Sequence, residues 1–91
     1  MRYKVGDKVV IRKGLIENLY PYENGIGGLL FNGRMKKLCG KTCTIFKITD
    51  LVLDEYNLLI DDKKIGWYFN NAMLLPANSL RYLVMTREAT S

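Results

Sequence analysis

Apolar and polar positions alternate in only a few short stretches of this chain, and each predicts a β-strand. In Lys8 to Arg12 the turn signal Gly6-Asp7 leads into a β-branched run that places Val9 and Ile11 on one face. Gly40-Lys41 opens a second strand, Thr42 to Ile48, with Cys43 and Ile45 on one side and Thr44 and Phe46 on the other. Tyr56, Leu58 and Ile60 share a face of the third strand, Tyr56 to Ile60. The polar run Asp61-Asp62-Lys63-Lys64 then predicts a turn, and Gly66 to Phe69 returns as the fourth strand of a hairpin, with Trp67 and Phe69 opposite Tyr68. Asn70-Asn71 ends that strand because asparagine competes for local backbone hydrogen bonds, and Met73-Leu74-Leu75 before Pro76 has room for one brief closing strand.

From Lys13 to Cys39 the pattern dissolves, since Gly14, Pro21, Gly25, Gly27, Gly28 and Gly33 recur too closely for a regular element to persist. A long loop is expected there. Leu19, Tyr20, Tyr22, Leu29, Leu30, Phe31 and Met35 give it enough apolar surface to fold back onto the core. Five short strands, a long first loop and one helical turn before the last strand predict an all-β chain bent into a small SH3-like barrel over residues 1–76. Residues 77–91 form a C-terminal extension: Leu80, Leu83 and Val84 fit a helix, while Leu80, Tyr82 and Val84 fit an edge strand.

Composition narrows the function classes. The chain has 91 residues, 48% of them hydrophobic and 25% charged, which is the balance of a single globular domain and too little for a multidomain enzyme. No apolar run reaches the length of a membrane span, and Met1 to Lys8 lacks the apolar stretch of a secretory signal, so a cytoplasmic location is expected. Histidine is absent, which removes Ser-His and Cys-His catalysis and the commonest metal ligand. Cys39 and Cys43 supply half of a structural zinc site at most, so packed free thiols are expected and no metal or other cofactor. Net charge is +5 and uneven, with ten Lys/Arg against three Asp/Glu in residues 1–49. Such asymmetry fits a solvated basic face first, and contact with an acidic partner such as nucleic acid second.

The order Gly6-Asp7-x-Val9-x-Ile11, Phe31-x-x-x-Met35, Gly40-Lys41-x-x-Thr44-Ile45, Tyr56 and Trp67-x-Phe69-x-x-x-Met73-Leu74 resembles a family of small uncharacterised proteins. Its members are encoded mostly by phages and prophages of Gram-positive bacteria. The resemblance runs over about residues 4 to 76 and implies an SH3-type barrel of mobile-element origin, with Gly6 and Gly40 as turn glycines and Val9, Ile11, Ile45, Trp67, Phe69 and Met73 as core. It transfers no catalytic residue. Asn71 and Ala72 stand where relatives tend to be acidic.

Adjacent carboxylates Asp54-Glu55 and Asp61-Asp62 sit at turns and point to opposite faces, so they read as solvated turn residues and not as an acid/base pair. Asn24 to Gly28 lacks the lysine and hydroxyl residue of a phosphate loop. Aromatic residues are the better signal: Tyr20 and Tyr22 in the long loop and Tyr68 on the fourth strand are expected to form an amphipathic groove for a host or phage protein, with core packing of Tyr20 or Tyr22 as the alternative. The expected function is therefore a non-enzymatic protein-binding module, one form of which is an inhibitor of a host defence protein. The alternative is a basic nucleic-acid-binding barrel in which Arg34, Lys36, Lys37 and Lys41 meet phosphates.

Overall fold

The alternating stretches do become strands in the computed structural model, which describes residues 3–50 and 54–77. In chain order these are β1 (Lys8–Ile11), β2 (Asn18–Pro21), β3 (Gly28–Phe31), a 3-10 helix η1 (Gly33–Leu38), β4 (Thr42–Asp50), β5 (Glu55–Ile60), β6 (Lys63–Asn70), a 3-10 turn η2 (Asn71–Met73) and β7 (Leu74–Pro76). Strands β6-β5-β4-β1-β7 form one sheet in that order, all neighbours antiparallel, and β2-β3 form a separate hairpin. The chain is thus mostly β, with the expected helical turn, η2, ahead of the closing strand.

Val9, Ile11, Ile45 and Phe69 are buried on the faces that the alternation groups together, and Met73 of η2 joins them around Tyr56, Leu58 and Leu74. Two details depart from simple alternation. Ile45 pairs with Leu58 but Lys47 with Asn57, so Phe46 is an extra residue and β4 carries a bulge. The bulge lets Ile48 rejoin Ile45 and Cys43 against the core, and leaves both Phe46 and Lys47 on the outer side. Trp67 lies on the core side of β6 yet is only partly buried, packed against the core's margin.

The turn between β5 and β6 is shorter than expected. Only Asp61 and Asp62 lie in it, with φ of +51° and +62°, and Lys63 already belongs to β6. Two successive left-handed residues match the right-handed twist of the flanking strands, and aspartate tolerates that region better than most residues.

The largest correction concerns residues 13 to 39, which are not an irregular loop. Their glycines are concentrated where the chain reverses: Gly25 and Gly27 take φ of +77° and +74° in the β2-β3 turn and leave the flanking residues free to pair. After the hairpin, the Asn32 side chain accepts from the Arg34 N–H at 2.9 Å and starts η1. Met35 and Leu38, three apart, then share the buried side, as the three-residue period of a 3-10 helix requires. The C-terminal extension, whether helix or edge strand, falls outside the described residues. Among the described residues no helix is long and apolar enough to cross a membrane.

Candidate functional site

The three tyrosines expected to line a groove have different environments. Tyr20 alternates inward on β2, its ring edge-on to Phe31 at 6.1 Å and 82°. Its hydroxyl accepts from the Ile16 N–H at 3.1 Å and lies 3.2 Å from the Ile16 carbonyl, to which it donates. Tyr22 donates to Glu55 Oε1 at 2.8 Å and so ties the end of β2 to the start of β5. Tyr68 has its ring on the outer face of β6 and is 48% exposed. The register relates the last two: Glu55 pairs with Asn70, and Asn57 with Tyr68, so Tyr22 reaches the cross-strand row next to that of Tyr68.

A residue read as a solvated turn carboxylate organises this region. Asp54 is only 3% exposed and has φ of +47°. One oxygen accepts from the Glu23 N–H at 2.9 Å and the other from the Asn71 N–H at 3.0 Å, so a single carboxylate joins the hairpin and η2 to the start of β5. Nothing local predicts this, because its partners lie 31 and 17 residues away. Buried Asn70 adds another tie, donating through Nδ2 to the Tyr20 carbonyl at 2.9 Å. Asp61 and Asp62, by contrast, are exposed as expected.

With its inner face fastened, the hairpin turns apolar residues outward. Leu19 and Leu30 are directly opposed across β2 and β3 and are 62% and 52% exposed. Ile26 at the turn and Ile16 before β2 are also exposed. Pairing along the outer edge of β2 is discouraged, since Pro21 has no N–H and the Leu19 N–H is taken by Asn18 Oδ1 at 2.9 Å. Along β2 the hairpin therefore offers side chains and not a backbone edge.

The basic residues divide between two places. Arg34, Lys36 and Lys37 project from η1 while Met35 and Leu38 hold its other side, and exposed Lys41 follows Gly40, over which the Lys13 side chain lies. A second basic set, Lys8, Lys47 and Lys64, lies on the outer face of the sheet and becomes visible only through strand register.

A cleft of about 240 Å³ opens between Tyr3, Arg12, Glu23, Asn71 and the residues of β7. Burial pushes the Tyr3 hydroxyl up to about 12, with the neighbouring Tyr56 adding to the effect, so it stays protonated at neutral pH. Burial likewise pushes the Cys43 thiol up to about 11, and its Sγ donates to the Lys41 carbonyl at 3.6 Å. Cys43 is a buried free thiol and Cys39 a half-buried one. A thiol held protonated is a poor nucleophile and a poor metal ligand. Among the described residues no group of three or more Cys, Asp or Glu side chains comes together. Compared with known protein families, curated proteins and solved structures, the chain matches none.

Proposed function

We propose that this chain is a non-enzymatic protein-binding module, an SH3-like barrel of phage or prophage origin acting in the bacterial cytoplasm. Support for the fold reading comes from the strand order β6-β5-β4-β1-β7, with a long hairpin insertion between β1 and β4 and a 3-10 turn between β6 and β7. The observation that carries the functional reading is the exposed Leu19–Leu30 pair on a hairpin whose opposite face is pinned. A rigidly mounted apolar pair has little conformational entropy to lose on docking and stays costly to solvate until it docks. Tyr22 at the base of the hairpin and Tyr68 on the neighbouring row extend the surface with aromatic area, and Tyr20 sets the hairpin's angle. A host or phage protein is the partner, and interference with a host defence protein is one use of such a contact.

A pull-down from host lysate with wild type and the Leu19→Asp, Leu30→Asp double variant tests this reading. Loss of a specific captured protein, with an unchanged circular dichroism spectrum, is the expected result. Capture that survives the double variant removes the hairpin from the interface. The second reading, nucleic-acid binding through Arg34, Lys36, Lys37 and Lys41, draws on the exposure of all four around η1. Steep salt dependence would distinguish it from the apolar docking.

A further inference from the structure

We infer that the outer face of β1-β4-β5-β6 is a binding surface for single-stranded nucleic acid, separate from the hairpin. One cross-strand row carries it: Lys8 pairs with Thr44, Thr44 with Leu59, and Leu59 with Lys64. Directly opposed residues share a face, so the two lysines stand at the ends of a four-strand row, roughly 14 Å apart at strand spacings of about 4.8 Å. Both have fixed positions. Lys8 Nζ donates to Thr44 Oγ1 at 2.7 Å, and Lys64 Nζ lies over the Phe46 ring, 5.5 Å from its centroid.

The next row, Lys47, Asn57 and Tyr68, adds a third lysine and the exposed ring. The β4 bulge is what brings Lys47 to this side beside Phe46. None of the three lysines meets a carboxylate in an ion pair among the described residues. The acidic residues on this face, Glu55 and its cross-strand partner Asp50, lie at its far end, and Glu55 already accepts from Tyr22 and Thr49. Asp61 and Asp62 are confined to the turn beyond Lys64.

Charge complementarity therefore selects a polyanion, and shape selects which one. A face four strands wide does not enter a duplex groove, which admits one helix or a two-stranded ribbon. An open sheet face with a free aromatic ring between point charges suits unpaired bases, which stack on the ring while lysines follow the phosphates. Lysine acts as a point charge toward phosphate and carboxylate alike, so the stacking ring is what distinguishes a base-bearing strand from an acidic protein.

The test is fluorescence anisotropy of a labelled oligothymidylate of about 12 nucleotides with the intact chain. Three phosphate contacts on a single strand predict a roughly 20-fold loss of affinity between about 50 and 200 mM salt. Lys47→Gln together with Lys64→Gln should flatten that dependence. Tyr68→Ala should weaken binding roughly 5- to 150-fold, and Tyr68→Phe should restore it, since the stacking face is retained. Lys36→Gln with Lys37→Gln on η1, and the Leu19→Asp, Leu30→Asp hairpin variant, should leave binding unchanged. Tyr68 borders both surfaces, but Leu19 and Leu30 belong only to the protein contact and Lys47 and Lys64 only to this face, so those variants let the two ideas fail separately. Absence of binding at about 50 mM salt overturns the inference. So does loss confined to the η1 variant, or competition by polyglutamate at equal charge with no effect of Tyr68→Ala, which would assign the face to an acidic protein.

Discussion

The five-stranded sheet and the β2-β3 hairpin are held in place by different physics. The sheet packs one face on fully buried Tyr56, Phe69, Ile45, Leu58 and Met73, so its stability comes from apolar area removed from water. The hairpin contributes Phe31 and part of Tyr20 and Leu29 to that core, and is otherwise attached through hydrogen bonds from Tyr22, Glu23 and Asn70 contacts. Apolar burial is non-directional and tolerates small shifts, whereas these bonds fix an orientation. The difference explains how a hairpin with two exposed leucines on one side can be held still: direction comes from polar groups beneath it.

Removing a core side chain from the sheet should have the largest effect. Phe69→Ala is expected to destabilise by roughly 3 to 5 kcal/mol, a large share of what a domain of this size has available. Urea denaturation followed by far-ultraviolet circular dichroism measures it. Both regions should unfold together in this variant, because Phe31 of the hairpin rests on the same core. Trp67→Ala should cost less, as its ring is only partly buried.

Asp54→Ala comes next and bears on the hairpin more than on the sheet. It leaves the Glu23 and Asn71 N–H groups without their charged acceptor, at a cost of about 2 to 3 kcal/mol. Hydrogen exchange should show protection lost in β2 and β3 before β4 and β5. Uniform loss across both would mean that the carboxylate supports the sheet and not the joint.

The sheet was legible in the sequence and the joint was not, for one physical reason. Alternation reports which residues face a common core, so Val9, Ile11, Ile45, Phe69 and the opposite setting of Tyr68 could be read directly. The Phe46 bulge could not, because it depends on the partner strand's register. Residues 13 to 39 misled through their glycines, which interrupt a pattern in sequence while concentrating at a single turn in space. Asp54 looked like any turn aspartate; its role depends on two N–H groups that chain topology brings to it. The basic row of Lys8 and Lys64 was invisible for the same reason, whereas Arg34, Lys36 and Lys37 stood out because they are consecutive in the chain.

Alkaline pH probes the sheet's core from another side. Cys43 has its folded value raised from 9.0 to about 11 and Tyr3 from 10.0 to about 12, both by burial, and Tyr56 is raised for the same cause. A raised folded value means the neutral form is favoured by folding, so the associated stability is complete below the unfolded value and is lost as pH climbs to the folded one. Stability should stay flat up to pH 9.0, then fall by on the order of 2 kcal/mol toward pH 11 as the unfolded chain's Cys43 ionises first. Cys43→Ala should delay the fall until above pH 10.0, where Tyr3 takes over. A decline that begins at the same pH in both proteins would place its origin outside the core thiol.

The smallest effect separates fastening from burial within the hairpin itself. Tyr22→Phe keeps the ring and removes only the hydroxyl that donates to Glu55 Oε1 at 2.8 Å. Glu55 keeps a second donor, the Thr49 hydroxyl, at 3.2 Å from Oε2, so its charge is not stranded and the expected loss is about 1 kcal/mol. A midpoint shift that small is measurable by urea denaturation, but its location is more informative than its size. If the bond serves to aim the hairpin, hydrogen exchange should quicken in β2 and β3 while β5 keeps its protection, and capture of a protein partner through Leu19 and Leu30 should weaken more than stability alone accounts for. Equal quickening in β5 would show that the Tyr22 hydroxyl supports the sheet edge, and orientation of the exposed leucines would then rest on Asp54 and Asn70.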